Sequence, residues 1–155
     1  MNKQKNLLVV HHTKSGGTMK MTAAIIKGAK KTNINIRSIN ALKASSADVF
    51  WCDGLILGTP ENFGYMSGAM KYFLDEIYYD CLEKKEGLPY AIYVKAGNDG
   101  TGAIVNIEKI LSGLSFIIFL QFLIHVGVNI RMFPTTGMTL PFLSYGGSVS
   151  YTHLR

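Results

Sequence analysis

The chain has 155 residues, a formal net charge of +6 and 48% hydrophobic residues, which is enough for one compact domain but hardly for two. Its basic residues are scattered through the first half rather than clustered, which disfavours nucleic acid as a partner and suits small phosphate-bearing molecules better. The two cysteines, Cys52 and Cys81, form neither a CxxC motif nor a Cys/His spacing, so no zinc site is indicated and a reduced, cytoplasmic setting is expected for residues 1–115.

Apolar runs alternate with amphipathic stretches along most of the chain. Continuous or alternating apolar residues predict strands at residues 6–10, 33–39, 54–58 and 89–94. Apolar residues at helical spacing predict helices at residues 18–31, 67–82 and 102–114, with a short helix or turn at 47–52. Strands that alternate with helices imply crossover connections, and hence a parallel sheet in a three-layer α/β/α fold.

The loop between the first predicted strand and the first helix is the first candidate binding element. It combines hydroxyl side chains with glycines: Thr13, Ser15, Gly16, Gly17 and Thr18. The hydroxyls can donate to a phosphate, the glycines let backbone amides approach it, and the start of the helix supplies partial positive charge. The pattern is neither GxxxxGK[ST] nor GxGxxG, so a nucleoside triphosphate or dinucleotide site is not indicated. A helix cap followed by a flexible turn explains this loop equally well when it is taken alone.

Two more loops follow the ends of later strands, and parallel strands bring such loops to one edge of the sheet. The second loop combines proline, glycine and an aromatic ring that suits a flat ligand: Thr59, Pro60, Glu61, Asn62, Phe63 and Gly64. The third loop is rich in glycine: Gly97, Asn98, Asp99 and Gly100. Each is also explained as an ordinary turn, but with the first loop they lie on three strand ends that one ligand would touch.

These loops resemble those of the flavodoxin-like superfamily, and within it those of the NADPH-dependent FMN reductases and the WrbA-type quinone reductases. The resemblance covers about residues 5–115 and is carried by residues 13–18, 58–60 with 63–64, 67–75 and 97–102. It implies that FMN is the cofactor. By the same resemblance, the first loop holds the FMN phosphate, while residues 60–64 and 97–100 flank the isoalloxazine ring.

The activity implied by this resemblance is the NAD(P)H-dependent reduction of a quinone or a similar acceptor. The flavin carries the electrons in such proteins and the chain supplies binding and orientation, so no side chain is assigned as an acid, a base or a nucleophile. A non-catalytic flavin electron carrier is the alternative, and consumption of NAD(P)H would separate the two. The resemblance leaves an oligomer open.

The expected fold stops short of its family's pattern at the carboxyl end. After the helix at 102–114 the family continues with a fifth strand and a closing helix, and neither is recognisable in this sequence. Residues 116–120 suit a strand by composition, but the apolar run continues to residue 128 without a turn signal. Instead, residues 110–130 contain no formally charged side chain at neutral pH and approach the length that crosses a bilayer. The sequence therefore predicts a truncated sheet followed by an apolar helix that associates with a membrane. A helix buried in the same domain is the alternative.

The carboxy-terminal segment resembles a second, unrelated family. Residues 133–148, FPTTGMTLPFLSYGGS, resemble the carboxy-terminal signature of the SEDS family of FtsW/RodA-type membrane proteins, and residues 121 and 127–129 fit the helix that precedes it. The resemblance covers about residues 116–148. It implies a fragment of a membrane-embedded peptidoglycan glycosyltransferase of cell division and cell shape, without the upstream acidic residue that such enzymes use.

These resemblances divide the chain into three parts: an incomplete FMN-binding domain at residues 1–115, a membrane-protein-like apolar segment at 116–148 and an unstructured tail at 149–155. The tail, VSYTHLR, resembles a translation of the transposase adapter used in sequencing libraries. A natural tether normally keeps both modules whole and places a flexible polar linker between them, and no such linker is recognisable here. The chain is therefore expected to be a chimera of two reading frames.

Overall fold

The computed structural model describes residues 4–97 and 99–121, which form a six-stranded sheet and four helices. The strands are β1 (Lys5–His11), β2 (Ile34–Asn40), β3 (Gly54–Asn62), β4 (Tyr65–Met66), β5 (Pro89–Lys95) and β6 (Ile117–Gln121). The helices are α1 (Gly17–Ala29), α2 (Ser46–Trp51), α3 (Gly68–Cys81) and α4 (Thr101–Gly113). The four strands and the four elements predicted as helices or turns before residue 115 are all present, with ends shifted by at most four residues.

The order of strands in the sheet is β2-β1-β3-β5-β6, and all of these neighbours are parallel. β4 is antiparallel to the far end of β3 and lies off this path. This order confirms the predicted flavodoxin-like sheet. The chain passes from β1 to one side for β2 and returns to the other side for β3, so a topological switch point lies where β1 and β3 end.

Helices cover both faces of the sheet. Buried side chains on one face, among them Leu8, Val10 and Ile92, form a single core with side chains of α2, α3 and α4. Because side chains alternate along a strand, Tyr93 faces the other way, where its hydroxyl lies 2.5 Å from the hydroxyl of Thr22 on α1. The three-layer arrangement predicted from the sequence is therefore confirmed.

The helix α3 shows how the local sequence directs this packing. Its buried residues recur at the spacing of one helical face: Met70, Phe73, Leu74, Ile77 and Cys81. Ser67 caps the helix, because its side chain accepts a hydrogen bond from the amide of Met70. Burying this stripe against the sheet stabilises the helix more than its intrinsic propensity does.

The prediction that the sheet ends before its fifth parallel strand is wrong. β6 pairs in parallel with β5, and the chain reaches it through a turn in which Ser115 has a φ of 56°. The carbonyl of Ser115 accepts a hydrogen bond from the amide of Gly87 at 2.9 Å, which fixes that turn against the loop before β5. A continuous apolar run fits a strand within a sheet as well as a helix within a bilayer, so the pattern alone did not decide between them.

The predicted apolar helix at residues 110–130 is wrong for its first half, because α4 ends at Gly113 and residues 117–121 form a strand. The expected absence of a closing helix, the rest of the predicted apolar helix at 122–130 and the tail at 149–155 fall on residues 122–155, which lie outside the described residues. Within the described part of the chain, no helix combines the length and the apolar character needed to cross a membrane.

Candidate functional site

The first loop lies at the switch point of the sheet. The amide of His12 donates to the carbonyl of Gly58 at 2.9 Å, which joins the ends of β1 and β3. The chain then enters α1 through Gly16, whose φ of 83° lies in the left-handed region that favours glycine. The amide of Gly16 donates to Thr13 Oγ1 at 3.0 Å, so the loop folds back on itself. The amides of the first turn of α1 have no acceptor within the helix, and they therefore lie next to this loop.

The predicted phosphate-binding residues surround this start of α1. Ser15 is exposed, whereas Thr18 is 1% exposed in the first turn of the helix. Thr13 accepts the hydrogen bond from Gly16 through its oxygen, which leaves its hydroxyl hydrogen for another acceptor. The first turn of α1 contains no acidic residue, so no carboxylate on the helix neutralises the partial positive charge at its start.

The second loop is partly a strand. β3 continues to Asn62, the chain reverses at Phe63 and Gly64, and β4 returns alongside it. Thr59 was predicted to contact a ligand, but its side chain is fully buried and its hydroxyl is bonded to Ser67, which caps α3. Any contribution of Thr59 to a ligand therefore comes from its backbone.

The tip of the second loop presents an aromatic ring to solvent. Phe63 has a φ of 55° and is fully exposed, a conformation that is uncommon for a bulky side chain. The tip rests on α4, because a Cβ placed on Gly102 would lie 1.9 Å from the carbonyl oxygen of Gly64. Only a glycine at position 102 permits this approach of the two backbones.

The third loop is tied to the second by Glu61. The amide of Gly100 donates to Glu61 Oε2 at 3.2 Å, and Gly100 itself has a φ of 76°. Asp99, which precedes the N-cap residue Gly100, accepts a hydrogen bond from the amide of Thr101 at 2.9 Å. Gly97 is exposed beside them, and Asn98 lies outside the described residues. The structure thus brings the two predicted ring-binding loops into direct contact.

Lys95 borders the first loop, although no role for it was predicted from the sequence. It is the last residue of β5, and a Cβ placed on Gly17 would lie 3.1 Å from Lys95 Cε. Its aliphatic chain therefore crosses the start of α1. Its place at the end of a predicted strand could have indicated a role in binding, because the last residue of a parallel strand borders the crevice in which such sheets bind ligands.

Two histidines at the end of β1 were also missed as part of the site. The Nδ1 atoms of His11 and His12 are buried and have no hydrogen-bond partner in the described structure. Burial, together with the charge of His12, lowers the pKa of His11 below its ordinary value of 6.5. An unpartnered buried nitrogen beside the first loop is a feature that a bound ligand or water explains.

The described residues of the three loops form an arrangement suited to binding a ligand. Among them, no group of three or more His, Cys, Asp and Glu side chains is placed to hold a metal ion. Burial raises the pKa of Cys52 and of Cys81 to about 11, so both thiols are protonated and unreactive at neutral pH. The first loop supplies amides and hydroxyls for one phosphate, and the other two loops supply backbone and an aromatic surface for a planar group. A flavin mononucleotide fits this set of residues.

Two family models match the chain. The model described as NADPH-dependent FMN reductase matches residues 20–127, and the model described as cell cycle protein matches residues 106–154. The second match extends into the tail that was predicted at 149–155. The two matches share residues 106–127, which include the end of α4 and the whole of β6.

The relatives that match the chain also fall into two groups, one for each of the two matched parts. A flavodoxin of Aquifex aeolicus is 30% identical over 119 residues, which are 73% of this chain and span 63% of that protein. A probable peptidoglycan glycosyltransferase FtsW of Pseudomonas fluorescens is 67% identical over 36 residues, which are 23% of this chain and span 9% of that protein. Among solved structures, oxidised flavodoxin 1 from Bacillus cereus superposes with a TM-score of 0.67 at 19% identity, covering 97% of this chain and 99% of that one. This structural likeness confirms the flavodoxin-like fold.

Proposed function

Because this chain belongs to the NADPH-dependent FMN reductase family, we propose that it binds FMN at the carboxyl end of its sheet and passes electrons from NADPH to a quinone or a similar acceptor. The observation that carries the proposal is the first loop at the switch point. There the start of α1 and the side chains of Thr13 and Ser15 surround a position suited to one phosphate. FMN has one phosphate, whereas FAD needs a pattern of glycines that this loop lacks.

The second and third loops are assigned to the isoalloxazine ring. The hydrogen bond between Glu61 and Gly100 ties the second loop to the end of the third, and Phe63 offers an exposed ring for stacking. The bound flavin supplies the hydride and electron chemistry. The chain's own residues bind it, orient it and limit the access of water. NADPH and reduced thiols both belong to the cytoplasm, so the proposal places the reaction there.

The decisive experiment reconstitutes the purified full chain with FMN, FAD and riboflavin and follows the quenching of flavin fluorescence. We expect FMN to bind more tightly than FAD, and the complex to consume NADPH only when a quinone such as menadione is present. FMN binding without any NADPH consumption would favour an electron carrier. A chain that binds no flavin would refute the proposal.

Ser15→Ala tests the assignment of the phosphate. Removing a hydroxyl that donates to a charged phosphate costs on the order of 1.5–3 kcal/mol, which is about tenfold or more in the Kd for FMN. Ser112→Ala is the matched control, because Ser112 is equally exposed but lies near the opposite end of α4. Equal Kd values for the two variants would contradict the phosphate assignment.

A second candidate function follows from the FtsW match, which is strong in identity but spans 9% of that relative. We propose that residues 116–148 derive from a membrane protein of that family and that the chain as given does not polymerise glycan strands. Incubation of the full chain with lipid II should yield no polymer, and polymer formation would overturn this view. A long DNA read from the source that runs unbroken through the codons of residues 111–119 would likewise refute a chimeric origin.

A further inference from the structure

The aliphatic part of the Lys95 side chain lies across the beginning of α1. Lys95 is half-buried at the end of β5, where it pairs in register with Pro60 of β3. Its Cγ, Cδ and Cε would lie 3.4, 3.3 and 3.1 Å from a Cβ on Gly17. Successive carbons therefore approach the start of the helix, and the ammonium group is one bond beyond the last of them.

This position is electrostatically unfavourable for a cation without a counter-ion. The start of a helix carries partial positive charge, and the first turn of α1 contains no acidic residue that would offset it. Lys95 belongs to none of the ion pairs formed by the described residues. An anion bound between the Lys95 ammonium and the start of α1 would be attracted by both and would offset their repulsion.

We propose that Lys95 forms an ion pair with the phosphate of bound FMN and thereby sets the preference of the site for FMN over riboflavin. The inference rests on the proposed function, because it requires the phosphate to lie in the first loop. The amides of α1 and the Lys95 ammonium then hold a doubly charged phosphate from two sides. Lys95 is a binding residue in this role and takes no part in electron transfer.

The test compares FMN with riboflavin, which lacks the phosphate. The Kd of each flavin is measured by fluorescence quenching for the wild type, Lys95→Gln, Lys95→Arg and Lys20→Gln. Lys20→Gln is the matched control, because Lys20 is an exposed lysine of α1, the helix that the Lys95 side chain crosses, and its loss changes the net charge equally. Thermal unfolding of each apo-protein reports whether the substitution disturbs the fold.

We expect Lys95→Gln to raise the Kd for FMN about tenfold and to leave the Kd for riboflavin unchanged. Lys95→Arg should retain most of the FMN affinity, and Lys20→Gln should weaken it by less than about threefold, since an exposed charge is screened by salt. The FMN affinity of the wild type should also fall more steeply with ionic strength than that of Lys95→Gln.

Three results would overturn the inference about Lys95 and leave the proposed function standing, and a fourth would overturn both. An unchanged Kd for FMN in Lys95→Gln would leave the proposed function standing but remove Lys95 from the phosphate site. An equal loss of FMN and riboflavin binding would show that Lys95 only supports the fold. An unchanged Kd for FMN with a higher KM for NADPH, but not for NADH, would assign Lys95 to the nicotinamide cofactor's phosphate. A wild type that binds neither flavin would refute the proposed function itself.

Discussion

Gly102→Ala tests whether the contact between the second loop and α4 positions the two loops assigned to the flavin ring. A Cβ on Gly102 would lie 1.9 Å from the carbonyl oxygen of Gly64 and 2.7 Å from its carbonyl carbon. Both are backbone atoms, so no side-chain rotation relieves the overlap. The turn between β3 and β4 must move away from α4, and the bond from the Gly100 amide to Glu61 lies directly beside the moving segment.

We expect Gly102→Ala to lower the free energy of unfolding, whereas an ordinary glycine-to-alanine substitution within a helix raises it. Such a change normally stabilises a protein by about 0.5–1 kcal/mol, because alanine loses less backbone entropy on folding. The overlap costs about 1–3 kcal/mol, and loss of the Gly100 hydrogen bond costs about a further 1 kcal/mol. The free energy of unfolding of the apo-protein should therefore fall by about 1–3 kcal/mol.

Gly28→Ala is the matched control for this substitution. Gly28 lies in α1, is exposed, and would have no atom within 4 Å of an added Cβ. We expect it to raise the free energy of unfolding by about 0.5–1 kcal/mol. Urea denaturation measures the free energy of unfolding of both variants. If the slope of this free energy against urea concentration is unchanged, a shift of the midpoint reports a change in stability. The Kd for FMN should rise in Gly102→Ala alone. A Gly102→Ala protein as stable as the wild type would refute the reasoning.

Three further predictions concern buried groups. The pKa of His11 is lowered in the folded state, so the unfolded chain takes up a proton first as the pH falls, and the free energy of unfolding should decrease below about pH 6.5. In urea unfolding measured at a series of pH values, His11→Leu should make this decrease smaller. Cys52 and Cys81, with pKa values of about 11, should react with iodoacetamide at about pH 8 far more slowly than after denaturation, and rapid alkylation of the native chain would contradict their burial. Tyr93→Phe removes the hydrogen bond to Thr22 and should lower stability by about 1 kcal/mol in thermal unfolding; an unchanged midpoint would show that this bond contributes nothing.

The order of strands and helices could be predicted because each has its own local pattern of apolar residues. The stripe from Met70 to Ile77 is an example, since its spacing alone defines the face that α3 buries. β4 was missed because a strand of two residues leaves no periodicity to detect. The turn before β4 packs against Gly102 of α4, which is far away in sequence, so this packing also left no local signal.

The roles of individual loop residues were harder to predict, for a related reason. Thr59 and Ser15 are both hydroxyl residues in loops that follow predicted strands, yet the first is fully buried against Ser67 and the second is exposed. Residue type cannot distinguish them, because burial depends on which segment packs against the hydroxyl. Lys95 was overlooked because its position over Gly17 arises only when β5 lies beside β3 in the folded sheet.

One stretch near the carboxyl end has a sequence that suits both a strand in a soluble sheet and a helix in a membrane. Residues 106–127 match both family models, and residues 117–121 pair as β6 with β5. Within a bilayer the same residues would have to be helical, because a membrane core offers no partner for the backbone groups of a strand. Once β6 has formed, the uncharged stretch that remains before Arg131 is residues 122–130, which is far shorter than the roughly 20 residues of a spanning helix. The complete parallel sheet and a membrane span at residues 110–130 are therefore mutually exclusive conformations of the same residues.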